Sequence, residues 1–535
     1  MLQASSQRKR DESTNEGALP ALGISCIPHV TAEQLFAEST MTKVHDNNSD
    51  ESLEFKCVVE LPTDFTADGQ SSGKTTGIVQ TLRNELKTSW NSLRYNVFTK
   101  RRPSFHSHSP IWLMGRQYCR KEALANRRDQ YEEAAFSGNM DDFLVDFSSR
   151  IWLSYRFGFE RIAGTHMTSD CGWGCTLRSG QMLLAETLMR HYLNEDRWRP
   201  LTNCESAEQH EEKLYRSIVA EFADCKEAAF SIHKLVELSR RLFDKKPGSR
   251  HGPASTSLLL QAAVEESNIP SLPNTLAVYV VRDGVLLIDE LEVLGYGMNR
   301  KQSSSMGQLH QKAKMSSVEQ LIIGRQRRCT DPAIGRSKSE MNLRLDDLPG
   351  LSHVFDESLS WVKSVLVLVS LHLGGERFNS VYIDHLKKVL SMKFCVGIIG
   401  GRASRAMYYV GWHRDYLICM DPHYSQRALR KNATSFPSCH CKWPKKLLFG
   451  KMDPNCTIGF YVRNRHELQE FLAEASEVSA YGCLSPKYPL FTILSSAEDK
   501  RKLQRSPFRS ATALAKSGSS LSISQMHGSR EFVFV

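Results

Sequence analysis

TSDCGWGC, residues 168–175, runs directly into TLRSGQMLLAETLMRHYL, residues 176–193. Apolar residues recur at helical spacing in the second part. The two glycines of the first part bend the chain just ahead of it. Cys175 is therefore expected at a helix N-terminus, where unpaired N–H groups and the positive end of the helix dipole favour a thiolate. The same N–H groups can hold a developing oxyanion. Three readings stay open at this point: a turn around buried thiols, a Cys171/Cys175 metal or redox pair, or a nucleophile at a helix start.

A cysteine nucleophile needs a base and a group that orients the base. Asp421-Pro422-His423, at the end of the strand-like run DYLICM, supplies both residue types. In extended backbone, residues i and i+2 point the same way, so the carboxylate can approach the imidazole, and Pro422 stiffens the step between them. The plainer reading is a turn, because Asp-Pro-His is also turn chemistry. Metal binding fares worse. The 14 cysteines show no repeated C-x-x-C pattern, and the adjacent Cys439-His440-Cys441 does not match structural zinc spacing, so no metal and no cofactor is expected.

The chain has 535 residues, 41% of them hydrophobic, enough for one large domain or two to three ordinary ones. No apolar run reaches the ~18 residues needed to span a bilayer. The longest, VLVLVSLHL (365–373), reads as a buried strand. The opening MLQASSQRKRDESTNEG has no apolar h-region, so a cytoplasmic protein with reduced thiols is expected. A net charge of +10 fits an acidic partner, an anionic membrane surface or a solvated surface with basic loops; without a basic, aromatic-laced patch the last is favoured and no nucleic acid is expected.

Residues 1–75 are rich in Ser, Thr, Asp, Glu and Asn and read as a disordered extension. GQSSGKT (69–75) is not a phosphate loop, since only three residues separate Gly69 from Gly73. A globular domain is expected over 76–495, interrupted by a basic, serine-rich insertion at 297–350; 496–535 reads as a disordered tail. Within the domain, helices are expected around 78–98, 176–193, 204–226, 229–244, 252–267, 380–392 and 465–477, 140–156 is expected to be helical at first and then extended, and strands are expected in TLAVYVVRDGVLLIDEL, FCVGIIGG, AMYYVGWH, DYLICMD, CTIGFYV and YPLFTIL. Helices dominate the first half and strands the second, which suggests an α+β fold with helices on a mostly antiparallel sheet.

Longer blocks then carry a resemblance. SRIWLSYRFGFERIAGTHMTSDCGWGCTLRSGQMLLAETL is similar to the nucleophile region of the autophagins, the autophagy-related cysteine proteases. IGGRASRAMYYVGWHRDYLICMDPHYSQ and MDPNCTIGFYV resemble two further blocks of that family, and WNSLRYNVFTKRRPSFHSHSPIWLMGRQY resembles the opening of its longer animal members. The resemblance implies a papain-like cysteine protease core with a small additional subdomain. It implies Cys175 as nucleophile, His423 as general base and acid, Asp421 as orienting carboxylate and Tyr155 as an oxyanion-hole hydroxyl. It further implies cleavage after the C-terminal glycine of a ubiquitin-like autophagy modifier of the GABARAP type, in its precursor and in its phosphatidylethanolamine-conjugated form at autophagic membranes. A catalytically weak or autoinhibited modifier-binding scaffold is the alternative. Trp173, Gly174, Gly252 and Pro253 are expected in the substrate groove, Trp173 being equally readable as a packed turn residue. Phe532 and Val535 in the terminal EFVFV offer a modifier-docking motif.

Three departures from the family pattern stand out. Ser179 occupies a position where many members have cysteine. Arg405-Ala406-Met407-Tyr408-Tyr409 lacks a histidine present elsewhere, which makes Met407 an expected apolar wall residue. Arg250-His251 precede Gly252-Pro253 where a tryptophan is usual.

Overall fold

The computed structural model describes residues 41–44, 52–55, 105–106, 109–119, 138–193, 206–297, 360–402, 405–433, 436–480 and 489–505. The chain divides into two units, Met1–Val79 and Gln80–Val535. In the first, the described residues form one antiparallel pair, Met41–Val44 with Ser52–Phe55, inside the stretch read as a disordered extension. The rest of that stretch, the helix expected around 78–98, the 297–350 insertion apart from Gly297, and the EFVFV motif lie outside the described residues.

The second unit is built on a nine-stranded sheet. Its strands are β1 (Ile111–Leu113), β2 (Arg116–Tyr118), β3 (Leu276–Val281), β4 (Ser364–His372), β5 (Cys395–Arg402), β6 (Arg405–His413), β7 (Tyr416–Met420), β8 (Lys445–Leu448) and β9 (Asn455–Val462). The order is β8-β7-β6-β5-β9-β4-β3, with the β1–β2 hairpin laid against β6. Every pairing is antiparallel except β3 with β4.

Side chains alternate across this sheet between two cores. Val278, Leu366, Leu368, Ile399 and Tyr408 face one; Tyr279, Val365, Val367, Val369, Ile398 and Tyr409 face the other. A strand buried on both sides needs no polar alternation, which is why VLVLVSLHL is almost continuously apolar. The first core is closed by α1 (Met140–Ser149), α2 (Cys175–Tyr192), α3 (Ser206–Ala220), α4 (Ile232–Phe243) and α5 (Pro253–Glu265). The second is closed by α6 (Ile288–Gly295), α7 (Ile383–Ser391) and α8 (Arg465–Ala480). The α+β expectation of helices on a mostly antiparallel sheet holds, with helices on both faces.

α2 is the central helix. All its residues but the last two are buried, Arg178, Glu186 and Arg190 among them. Burial of those charges is tolerable only because each is paired. Arg150 at the end of α1 bonds Asp146 at 2.6 Å and Glu186 at 2.5 Å, and Arg190 bonds Glu186 at 2.9 Å.

Two expectations need correction. LLIDEL is not the end of a strand pair: Val285–Leu287 is a strand, and α6 begins at Ile288 with Asp289 and Glu290 in its first turn, where the helix dipole favours acids. The 496–535 segment is not structureless from its start. A short strand, Thr492–Leu494, pairs with Val285–Leu287, and α9 (Ala497–Arg505) follows it, capped by Ser496.

Candidate functional site

Cys175 is the first residue of α2. The turn before it is held from within. Gly172 has φ +88°, a conformation that costs an L-side chain free energy but not glycine. A Cβ on Gly174 would stand 2.4 Å from an oxygen of Asp170, so only glycine lets the chain pass that carboxylate. Asp170 accepts from the Arg156 backbone N–H at 2.6 Å and from Arg178 Nε at 2.7 Å. Arg178 also donates to Asp224 at 2.8 Å, and Asp224 in turn accepts from the Leu429 N–H at 2.7 Å. Burial pushes the Asp170 carboxyl up, opposed by the Arg178 charge.

Asp421 and His423 follow β7. They are not in extended backbone, as the i, i+2 expectation had it. Asp421 Oδ1 accepts from the His423 backbone N–H at 3.0 Å, closing an Asx turn, and also lies 2.6 Å from His423 Nδ1. The turn and the carboxylate–imidazole pair are thus one structure. The segment after α1 clamps it. The Tyr155 N–H donates to Pro422 O at 2.8 Å, the Gln426 N–H donates to Tyr155 O at 2.9 Å, and Trp152 Nε1 donates to Asp421 O at 2.9 Å. The Tyr155 and His423 rings meet edge to face at 5.4 Å.

The folded chain brings these groups to Cys175, whose thiol stands within the influence of the His423 and Tyr155 side chains and of the Ala406 backbone on β6. Burial alone would raise the Cys175 thiol. The polar ring and charge of His423, with the Ala406 backbone and the Tyr155 side chain beside the sulfur, win instead and bring it down to about 7. That is a net shift of about 3 kcal/mol toward the thiolate. Burial would lower His423, but the Asp421 charge and hydrogen bond outweigh it and, with Cys175 close by, raise it to about 9. Between those values a thiolate–imidazolium pair is the favoured form. Burial also opposes ionisation of Asp421, yet Lys445 and His423 together hold it well below the carboxylate range.

Cys175 is only 5% exposed and His423 7%. Access is through a pocket of ≈ 600 Å³ whose lining includes Cys175, Arg250, Gly252, Pro253, Arg402 and Arg405. Gly252 caps α5 and Pro253 is its first residue, so both expected groove residues stand on the pocket wall. Trp173 does not. It belongs to the first core, with its indole N–H donating to Ser169 O at 3.2 Å, so the packed-turn reading is the one that fits. Gly174 makes room for Asp170 rather than lining the pocket. Met407 packs against the second core. His251 is buried with Nε2 2.6 Å from Ser239 Oγ, while Arg250 donates to Gly172 O at 3.3 Å.

Sequence reasoning missed Lys445, Ala406, Trp152 and the Asp170–Arg178–Asp224 bridge. Gln426 was quoted only as part of a block. Its side chain donates to Ser154 Oγ at 2.9 Å and Ser438 O at 3.0 Å, joining the segment after α1 to the turn at Pro437–Cys439. His440 bonds Tyr215 at 2.6 Å and Ser148 O at 2.9 Å, a structural role, and among the described residues no cluster of three potential metal ligands occurs. No described helix is long and apolar enough to cross a membrane.

Comparison with known proteins adds the following. Residues 140–474 match the peptidase C54 catalytic domain. Cysteine protease ATG4C of Xenopus laevis is 32% identical over 468 residues, covering 78% of this chain and 89% of that protein. Human cysteine protease ATG4C is 32% identical over 470 residues, covering 78% and 90%. Cysteine protease ATG4D of Xenopus laevis is 29% identical over 470 residues, covering 80% and 84%.

Proposed function

The chain belongs to the peptidase C54 family of cysteine proteases, with a papain-like α+β fold, and from that premise we propose that it cuts the amide bond after the C-terminal glycine of a ubiquitin-like autophagy modifier. Both a precursor peptide tail and the amine of phosphatidylethanolamine serve as leaving groups in this reading. The observation that carries it is the meeting of Cys175, at the head of α2, with His423, whose ring is held by Asp421 at 2.6 Å.

In this mechanism the Cys175 thiolate attacks the glycine carbonyl carbon. The carbonyl π electrons move to oxygen, and the oxyanion is met by the Tyr155 hydroxyl and the Cys175 backbone N–H. The tetrahedral intermediate collapses, the C–N bond breaks, and the His423 imidazolium gives its proton to the departing amine. A thioester remains on Cys175. Neutral His423 then takes a proton from the water that attacks the thioester; the new tetrahedral intermediate collapses, the C–S bond breaks, and the carboxyl product leaves with the Cys175 thiolate and His423 imidazolium restored. Asp421 holds the ring in the tautomer that both steps need. The pocket's Gly252-Pro253 wall and Arg250, Arg402 and Arg405 frame the substrate's approach, and Phe532 and Val535 supply a separate docking motif.

The test is a modifier extended beyond its terminal glycine by a reporter, incubated with wild-type protein and Cys175→Ser, with the cut located by mass spectrometry. Cleavage after glycine that drops by roughly 10⁴-fold or more in the variant is expected. Cleavage elsewhere, or equal rates, would sink the proposal. A second reading, a modifier-binding scaffold of restrained activity, draws on the near-complete burial of Cys175 and His423. Binding without turnover by the wild type would favour it.

A further inference from the structure

We infer that Lys445 is a positioning residue for this site: its ammonium holds the second oxygen of Asp421 and so sets the share of that carboxylate's charge that His423 receives. The inference builds on the catalytic reading above.

The geometry divides the carboxylate in two. Oδ1 is taken twice by His423, through its backbone N–H at 3.0 Å and its ring Nδ1 at 2.6 Å. Oδ2 is taken by Lys445 Nζ at 2.6 Å. Topology explains why a lysine can reach it. β8 is the edge strand beside β7, and Lys445 stands opposite Cys419 in that pairing. Asp421 comes two residues after Cys419, just past the end of β7, so a long side chain from the edge strand can span the gap. Asp421 is 7% exposed and Lys445 32%, which places the bond at the boundary between core and solvent. The lysine side chain therefore lies on the outer, solvent-facing side of the carboxylate.

Charge balance gives the ammonium a second consequence. In the thiolate–imidazolium form the row reads minus at Cys175, plus at His423, minus at Asp421 and plus at Lys445, a neutral set in a mostly buried place. Without Lys445 the set carries one net negative charge. The imidazolium is then over-stabilised and releases its proton less readily to a leaving amine. The other titratable groups facing this row are Tyr155 on the segment after α1, Cys419 on β7 and Cys441 just before β8. None of these three supplies a positive charge.

The experiment uses the full chain and a readout that does not depend on turnover: the rate of Cys175 alkylation by iodoacetate against pH, localised by peptide mass spectrometry. Iodoacetate is an anion and reacts best with a thiolate beside an imidazolium, so the profile has an acid and a basic limb. Lys445→Met and Lys445→Gln should each move the basic limb upward by about 0.5–1 pH unit, the size of a lost charge about 6 Å away in a partly solvated site. Lys445→Arg should return it to the wild-type position. The inference falls if the limb stays put in both neutral variants, or if Lys445→Arg shifts it as far as they do. A wild-type profile with no basic limb at all would sink the thiolate–imidazolium pair itself. A shifted limb in a protein that cleaves no modifier would leave the Lys445 assignment standing and remove only the substrate proposal.

Discussion

Two acid–base networks lie side by side beneath the pocket, and they are made of different materials. One joins Asp170, Arg178 and Asp224, with every side chain fully buried. Its cation is an arginine, which does not give up its proton in a protein. The other joins Cys175, His423, Asp421 and Lys445, and contains a thiol and an imidazole whose protons move near neutral pH. The first is a frame. Arginine's fixed fork pins the turn before α2 to the loop at Asp224 and, through it, to Leu429. In the proposed reading the second is the working part: Cys175 lines the pocket and Lys445 reaches solvent. Stability is invested where nothing titrates, and chemistry is placed where something can.

That contrast can be broken from either side. Arg178→Met leaves Asp170 and Asp224 buried without their cation. It should cost about 3–5 kcal/mol of stability, read as a lower denaturant midpoint, with activity lost through unfolding. If the midpoint is unchanged, the frame is no frame. Tyr155→Phe removes one hydroxyl from the working side. It should lower kcat by roughly 10²–10³-fold with the denaturation midpoint nearly unmoved; a parallel loss of stability would make Tyr155 a core residue after all. The smallest effect sharpens the comparison. The rate should rise as Cys175 ionises through about 7 and fall as His423 loses its proton through about 9. The acid limb appears because protonation below 7 removes the nucleophile, and the basic limb because deprotonation above 9 removes the acid that serves the leaving group. A rate flat across that window would show that neither network titrates.

The legible parts of the molecule were those whose cause is local. The amphipathic and buried helices, the strands of the second half and the helix start at Cys175 all follow from spacing along a few consecutive residues. The Asp421/His423 pair was legible too, although its real geometry is an Asx turn, which the same three residues allow. Lys445 and Ala406 were not legible, because they reach the site through pairing between strands. Lys445 arrives only because β8 lies beside β7, and the Ala406 N–H only because β6 turns back on β5 above α2. Trp173 was misplaced for a related reason: an aromatic next to a nucleophile suggests a groove wall, and nothing in its neighbours tells that the Ser169 carbonyl holds it inward. The role of Tyr155 rested on the family resemblance alone.

The Asx turn has a consequence for how the site comes into being. Base and orienting carboxylate are two residues apart and joined by the chain's own backbone, so they can find each other in a largely unfolded polypeptide at little entropic cost. The nucleophile is far away in sequence and meets them only when α2 has docked on the sheet. Half of the machinery is therefore written into a tripeptide, while the other half is a certificate of completed folding. Under the proposed mechanism, hydrolytic competence depends on the docking of α2 against this turn, so it marks a domain that has closed.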